Sequence, residues 1–329
     1  MDLLEMIGIE HPVVQAGMGG GIADGALAGA ASAAGGLGTV GILGADAMRD
    51  ELRRAKEIAG GRPVAANLLV PFARGAHVGA VAEGGAAVCV VFFGFDAKLV
   101  AALRERGLLV LHQVGSVEGV KRALAEGADG VIVQGLEAGG HLHGREPLAD
   151  LLPRAVDAAG GTPVLAAGGI ASRADAERVL DAGAAAAVAG SRFLLTEESR
   201  AHPEYKRRAL GAPRTIDTKL FGFGWPARHR VLPNAATERW ERRRRLTAVL
   251  TGATGRLGRM LPLEVAAGRL PALQRAWLPL FGPAAPLEGM PDRLVEVTPL
   301  YAGECVKRID RVVPAAEAVR ELAGVASRA

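Results

Sequence analysis

Eight short apolar segments recur through the first two hundred residues, and this repeat is the strongest constraint on the fold. Each segment is followed by a glycine or polar turn and then by a helical stretch, and most begin about 22 to 26 residues after the previous one. That spacing corresponds to one strand, one helix and two loops. The segments lack strict alternation, as parallel strands covered on both faces should. They are residues 12–18, 37–43, 63–69, 86–93, 108–114, 130–135, 163–169 and 185–193.

Helix signals lie between these segments. Asp96 and Ser116 are in N-cap positions before apolar residues at helical spacing, and "SRAD" (172–175) is a capping-box pattern. Eight consecutive βα units predict an α/β fold, a closed TIM (β/α)8 barrel over residues 1–200. An open doubly wound sheet is the competing arrangement. The even spacing of uninterrupted units favours closure.

The repeat ends near residue 200, and residues 201–329 carry most of the large aromatic side chains. We predict that this part is a mainly helical extension packed at or near the barrel mouth. Its last segment, "AAEAVRELAGV" (315–325), has the pattern of an amphipathic helix. The aromatics from Phe221 to Trp225 are expected to form a packed core, with a lid over the mouth as the alternative.

Composition argues against several classes of partner. The formal net charge is only +4, and the densest basic stretch, Arg242–Arg245, has only Trp240 nearby for stacking. A solvated helix face therefore explains it better than a nucleic-acid groove. No apolar run reaches the roughly 18–20 residues of a membrane span. Cys89 and Cys305 lack metal-site spacing and predict a reducing environment. We expect a cytoplasmic protein without a nucleic-acid or membrane partner, and the sequence leaves a homodimer open.

Glycines end the last two predicted strands. "AAGGI" places Gly168 and Gly169 just before a helix that starts near Ser172, and "VAGSRF" places Gly190 and Ser191 at the same point of the next strand. TIM barrels commonly hold a phosphate between these two loops, with backbone N–H groups and a helix N-terminus. Two tight turns packed with small residues are the structural alternative. Their occurrence on both final strands favours the phosphate site.

Other predicted strand ends carry glycine or amide residues and one methionine. Glycines leave space at the barrel mouth, and amides can hydrogen-bond the edge of a heteroaromatic ring. A phosphate site combined with such a cradle suits FMN better than a bare sugar phosphate. The residues are Gly17, Met18, Asn67, Gln113, Gln134, Gly139 and Gly140.

Two histidines follow the sixth predicted strand in "QGLEAGGHLHG" (134–144). An imidazole titrates near pH ~6.5, so His141 suits proton transfer or the stabilisation of a bound anion. For His143 we expect a structural or supporting place. Metal binding by this pair is not expected, because no motif supplies a third ligand.

Several motifs together resemble the nitronate monooxygenase family, once called 2-nitropropane dioxygenases, with FMN-dependent enoyl-ACP reductases and NADH:quinone reductases as relatives. They are "HPVVQAGM", "AGGLGTVG", "QGLEAGGH", "LAAGGI" and "AGSRFLLTEES", in register over roughly residues 8–200. "YAGECV" (301–306) resembles a late family segment near the cofactor.

The resemblance implies non-covalent FMN. Its phosphate would be held at Ala167, Gly168, Gly169, Gly190 and Ser191. Gly17, Met18, Gln113, Gln134 and Gly139 would lie along the ring or ribityl chain. The active-site histidine of the family corresponds to His141. Two departures are the glutamine at 113, which is lysine in some relatives, and the second histidine at 143.

The activity implied is oxidation of alkyl nitronates, and of nitroalkanes after loss of a proton, by O2 to a carbonyl compound and nitrite. Two alternatives stay open. One is an FMN-dependent NAD(P)H reductase of a quinone or enoyl thioester, and the other is a flavin-free phosphate-binding barrel. "AVLTGATGRLG" (248–258) imitates a dinucleotide fingerprint, but Pro262 and Pro271 interrupt the segment after it, so a glycine-rich connection is expected there.

Overall fold

A computed structural model of the chain describes residues 3–223, 225–240, 274–278 and 281–325. The basic stretch Arg242–Arg245 and the glycine pattern at 248–258 lie outside the described residues.

The eight predicted segments form one eight-stranded parallel sheet. Its strands are β1 (Val13–Gln15), β2 (Gly38–Val40), β3 (Val64–Leu69), β4 (Val88–Phe92), β5 (Leu109–Val114), β6 (Gly130–Gln134), β8 (Val164–Ala167) and β9 (Ala186–Ala189), while β7 (Gly140–His141) belongs to a second sheet. β1 pairs with β9 at one side and meets β2 at the other through a parallel bridge between Val14 and Leu37. This bridge closes the sheet, so the predicted TIM barrel is confirmed.

Nine helices precede or follow the barrel strands within the described part of residues 1–200. They are α1 (Leu3–Ile7), α2 (Gly25–Ala33), α3 (Ala45–Ile58), α4 (Gly75–Glu83), α5 (Ala97–Arg104), α6 (Val117–Ala125), α7 (Leu148–Ala159), α8 (Arg173–Asp181) and α9 (Ser191–Leu194). The predicted caps are confirmed: Asp96 accepts from Lys98 and Leu99, and Ser116 accepts from Gly119. None of the described helices is long and apolar enough to cross a membrane.

The core of the barrel positions the site at one end. Leu3 and Ile7 of α1 pack with residues near the starts of the strands, among them Leu37, Val88 and Ala186. This packing fills the amino-terminal end of the barrel. The carboxyl-terminal ends, where polar and glycine residues follow the strands, are left to form a cavity.

After residue 200 the described part contains α10 (Pro203–Ala209), β10 (Ile216–Thr218), β11 (His229–Val231), α11 (Ala235–Trp240), two short 3-10 helices (Asp292–Glu296 and Glu304–Arg308) and α12 (Ala315–Ala323). α12 confirms the predicted amphipathic helix. The two strands were not anticipated. They form an antiparallel sheet with β7, in the order β10-β11-β7, with His229 opposite His141. The extension therefore holds the segment that carries His141.

Candidate active site

One cavity lies at the carboxyl-terminal ends of the barrel strands. Its volume is about 400 Å³, within the range of small-molecule sites. All of the predicted site residues line it, namely Gly17, Met18, Asn67, Gln113, Gln134, Gly139, His141, Ala167, Gly168, Gly169, Gly190 and Ser191. The structure thus brings the whole predicted set together. The role of each residue stays a prediction.

The cavity wall carries no charged side chain among the described residues: no Asp, Glu, Lys or Arg lines it. Its titratable groups are His141, Tyr205, Tyr301 and Cys305. Burial raises the pKa of both tyrosines and raises the pKa of the Cys305 thiol to about 11. Burial also lowers the pKa of His141. All four groups are therefore neutral near pH 7.

The loops after β8 and β9 present free backbone amides. The N–H groups of Gly168, Gly169, Gly190 and Ser191 donate no hydrogen bond to the described residues. Gly168 and Gly169 have φ values of +124° and +75°, a conformation that glycine adopts without a steric cost. A Cβ added at Gly190 would meet only Ala16 Cβ, at 3.8 Å, so the space beside this loop is open.

Part of the amino terminus of α8 is bound by a side chain of the helix itself. Asp175 accepts hydrogen bonds from the backbone N–H groups of Ala171 and Ser172, at 3.0 and 3.1 Å. Arg308 pairs with the same carboxylate over 2.7 Å and donates to the Gly169 carbonyl oxygen over 2.8 Å. The capping box in "SRAD" is therefore confirmed. Asp175 satisfies the amides of Ala171 and Ser172, and the phosphate site between the last two loops stays a prediction.

Two glycines of the predicted cradle make room for protein atoms. A Cβ at Gly17 would lie 2.5 Å from Asn67 Cβ, and one at Gly139 would lie 2.4 Å from the backbone nitrogen of Gly303. No real structure tolerates such distances. Close packing against Asn67 and the 302–303 backbone therefore requires these two glycines. The space that we expect them to leave for a ring stays a prediction.

The side chain of Gln134 makes hydrogen bonds within the protein. Its amide nitrogen donates to the carbonyl oxygen of His141 over 3.0 Å. Its amide oxygen accepts from the backbone N–H groups of His143 and Gly144, at 2.7 and 3.4 Å. The side chain is therefore committed to the loop that carries the histidines. Gln113, by contrast, makes no side-chain hydrogen bond with the described residues and keeps its amide available to a ligand.

His141 lies in an aromatic and uncharged environment. Its ring stacks on Trp225 with centroids 4.0 Å apart, and the Tyr301 ring lies 5.3 Å away. Nε2 of His141 is buried and has no hydrogen-bond partner among the described residues. Burial, and secondly the neighbouring His229, hold its pKa well below 6.5. The imidazole is thus neutral at physiological pH and has an unsatisfied nitrogen.

The aromatic residues from Phe221 to Trp225 divide between the two expected roles. Phe221 is fully buried and packs on Phe281, as a core residue should. Trp225 instead lines the cavity and stacks on His141. His143 is exposed and contacts the rings of Phe92 and Phe93, which agrees with a supporting place.

A TIM barrel with a neutral histidine in a cavity at the strand ends is typical of an enzyme, and comparison with known proteins identifies its family. The family model described as nitronate monooxygenase matches residues 1–78 and 73–324. The chain belongs to the nitronate monooxygenase family, and it is an oxidoreductase.

Curated relatives include two kinds of enzyme. The (3aS,4S,5R,7aS)-5-hydroxy-7a-methyl-1-oxo-octahydro-1H-indene-4-carboxyl-CoA dehydrogenase of Mycobacterium tuberculosis is 37% identical, over 78% of this chain and 74% of the relative. The nitronate monooxygenase of Pseudomonas aeruginosa is 33% identical, over 65% of this chain and 74% of the relative.

Among solved structures, nitroalkane oxidase from Streptomyces ansochromogenes superposes with a TM-score of 0.77 at 29% identity, covering 98% of this chain and 96% of the other. FabK from Thermotoga maritima superposes with a TM-score of 0.78 at 25% identity, covering 97% and 94%. These similarities agree with the barrel and extend over the described residues beyond position 200.

Proposed function

We propose that the protein is an FMN-dependent oxidoreductase that oxidises nitroalkanes and their nitronates with O2 to a carbonyl compound and nitrite. The observation that carries the proposal is the neutral imidazole of His141. Among the described residues its buried Nε2 has no partner, and the cavity that it lines has no charged side chain. Membership of the nitronate monooxygenase family supports the substrate class. The similarity to nitroalkane oxidase supports it as well.

The residues present fit FMN. The amides of Gly168, Gly169, Gly190 and Ser191 have no partner among the described residues and lie on one cavity, so they can donate hydrogen bonds to a phosphate group without a cationic side chain. The free amide of Gln113 suits the polar edge of a flavin ring. When bound, FMN supplies the acceptor that takes electrons from the substrate and passes them to O2.

His141 performs the proton transfer. A neutral imidazole is ready to accept a proton, and Nε2 has no competing partner in the described structure. We assign to it the proton on the carbon that bears the nitro group, which moves to Nε2 as the carbon–hydrogen bond breaks. The resulting imidazolium then lies beside the nitronate and balances its negative charge.

The uncharged wall favours entry of the neutral nitroalkane. No cationic side chain of the described residues lines the cavity, so an anion that enters it loses hydration without a compensating charge from them. A nitroalkane carries no net charge and brings an alkyl group that the rings of Trp225 and Tyr301 can cover. Preformed nitronate is expected to bind more weakly but to need no base.

The decisive experiment is the visible spectrum of the purified holoenzyme under argon. Nitroethane added at pH 7.5 should bleach the flavin absorbance, and NADH should not. Bleaching by NADH alone would support the reductase instead. A colourless protein that takes up no added FMN would support the flavin-free phosphate-binding barrel.

A second candidate is dehydrogenation of a hydroxylated CoA thioester. The observation that favours it is the 37% identity to the dehydrogenase of Mycobacterium tuberculosis, which exceeds the 33% identity to the nitronate monooxygenase. A neutral His141 can also take the proton of a hydroxyl group. A third arm of the same experiment, with an alicyclic hydroxyacyl-CoA as the reductant, separates the two. Bleaching by the thioester and not by nitroethane would select the dehydrogenase.

A further inference from the structure

Phe93 has an unusual backbone. Its φ is 61°, and it is the one residue other than glycine with a positive φ in the described part of the chain. For a bulky side chain the left-handed conformation is sterically costly and rarely adopted. Residues held in such conformations cluster at functional sites, where the surrounding structure enforces them. The outlier lies directly after β4, at the end of the barrel that bears the cavity.

The left-handed conformation changes where the Phe93 ring points. Successive side chains of an extended strand lie on opposite faces of the sheet. Phe92, the last residue of β4, lines the cavity, so an extended Phe93 would face away from it. Instead the two rings lie side by side, with centroids 4.3 Å apart. The backbone at Phe93 therefore turns a second aromatic ring towards the site.

The ring of Phe93 contacts the groups that surround the reactive imidazole. Its centroid lies 4.6 Å from that of Trp225, with the ring planes at 74°. It also lies 5.8 Å from His141, edge to face, and 5.7 Å from His143. Phe93 is not among the residues that line the cavity. It packs behind the Trp225–His141 stack and acts through it.

A buried histidine hydrogen-bonds the backbone of the turn that follows Phe93. Nε2 of His112 donates to the carbonyl oxygen of Gly94 over 2.9 Å, and the His112 side chain is 1% exposed. Gly94 itself has a φ of 145°, a conformation that favours glycine. This anchor keeps the segment from relaxing to an extended conformation, which would take the ring away from Trp225.

We propose that Phe93 is a positioning residue, whose ring, turned inward by the left-handed backbone, holds Trp225 and His141 in their stack and keeps water from the imidazole. The proposal rests on the proposed function for the use made of His141. The placement of Phe93 itself rests on the backbone and ring contacts.

The groups around His141 determine what loss of the Phe93 ring would do. His229 on β11 and Tyr301 face His141 from the extension, and His143 lies in its own loop. Tyr301 is neutral, and burial lowers the pKa of His229 to about 4, so both face His141 uncharged near pH 7. Burial is the larger cause of the low pKa of His141. Admission of water should therefore raise it towards ~6.5.

Phe93→Asn tests the proposal, and Phe95→Asn is its matched control. Phe95 is also half-buried, but its backbone has no positive φ and its ring packs on His112 and Arg122, at 4.8 and 4.2 Å. Asparagine tolerates the left-handed conformation well. The titration of His141 is followed by NMR in each variant, with the signal assigned by comparison with His141→Gln. Thermal unfolding is measured in parallel.

In Phe93→Asn the pKa of His141 should rise by at least one unit, and kcat below pH 6.5 should fall relative to the parent enzyme. Phe95→Asn removes a ring from His112 but keeps the Phe93 ring and the groups that form the hydrogen bond from His112 to Gly94, so the titration of His141 should move much less than in Phe93→Asn. Phe93→Asn should also lower Tm less than Phe95→Asn does, because the substitution relieves the backbone at 93. An unmoved titration of His141 in Phe93→Asn would overturn the proposal. Phe93→Gly, which suits the same backbone, replaces Phe93→Asn if that variant fails to fold.

The titration needs no substrate. A shifted His141 in an enzyme that is not reduced by nitroethane would therefore leave the role of Phe93 intact while the proposed function fails. If the pKa of His141 is unchanged in Phe93→Asn while the parent enzyme oxidises nitroethane, the role of Phe93 fails and the proposed function stands.

Discussion

The side-chain amide of Gln134 donates to the carbonyl oxygen of His141 over 3.0 Å, so the last residue of β6 holds the backbone of the histidine seven positions later. The same side chain accepts from the N–H of His143 over 2.7 Å. A carboxamide supplies both the donor and the acceptor that this arrangement needs. Gln134 is 3% exposed, so neither hydrogen bond is readily replaced by water.

Gln134→Leu is expected to reduce kcat by about tenfold or more and to lower the free energy of unfolding by about 1–3 kcal/mol, because buried backbone groups lose their partners. Gln113→Leu is the matched control, since its amide has no partner in the described structure. That variant should weaken FMN binding, and its FMN-free form should keep the Tm of the FMN-free parent. Thermal unfolding and flavin content distinguish the two. Loss of FMN in Gln134→Leu with normal kcat in the remaining holoenzyme would contradict the assignment.

His141→Ala is expected to retain FMN and to lose nitroalkane oxidation by about 10²- to 10⁴-fold, the usual contribution of a positioned base. Oxidation of preformed nitronate should fall much less, because its proton has already been removed. His143→Ala is the control, since His143 is exposed and does not line the cavity. Steady-state rates with both substrate forms provide the measurement. Equal losses for nitroalkane and nitronate would argue against a role in deprotonation.

The repeat of apolar segments was sufficient to predict the barrel because each parallel strand is buried on both faces and is followed by a capped helix. Sites in such barrels lie at the carboxyl ends of the strands, so the cavity was expected there, and every residue chosen for the site lines it. Specific partners were not predictable in this way. The commitment of Gln134 to the His141 loop, and of Asp175 to the amides of Ala171 and Ser172, depends on distances between loops that residue types do not encode.

The aromatic residues that line the cavity beside His141 were not predicted, for a similar reason. Trp225 and Tyr301 reach His141 from a part of the chain in which short strands replace the regular repeat. β10 and β11 have three residues each, too few for alternation to be recognised. The resemblance of "YAGECV" to a segment near the cofactor was the available signal for Tyr301. For Trp225 the sequence offered only a cluster of aromatic residues.

Gly190→Phe is expected to abolish FMN retention, because the side chain would project into the open space beside the loop after β9. Gly190→Ala is the matched control. Its Cβ would meet only Ala16 at an ordinary van der Waals distance of 3.8 Å, so the fold should be unaffected. The ratio of flavin to protein absorbance after purification measures retention, and circular dichroism verifies folding. A yellow and fully loaded Gly190→Phe would refute the assignment of this loop to the cofactor.

Acid should destabilise the fold through His229. Burial lowers the pKa of His229 to about 4, whereas an unfolded histidine titrates near pH ~6.5. As the pH falls, the unfolded state therefore binds a proton at this histidine at a higher pH than the folded state does. Stability is fully present above about pH 6.5 and declines as the pH falls towards 4, by an amount on the order of 3 kcal/mol. Protonation also removes the acceptor that Nε2 offers to the backbone N–H of Phe221 over 3.3 Å.

His229→Gln separates this contribution from that of other groups. Glutamine does not titrate, so the variant should be less stable than the parent at pH 7.5 but should lose less stability between pH 6.5 and pH 5. The pKa values of His141 and His112 are also lowered by burial, so a smaller acid sensitivity should remain. Urea unfolding midpoints at several pH values provide the measurement. An identical dependence on pH in the variant and the parent would show that His229 is not a source of the acid sensitivity.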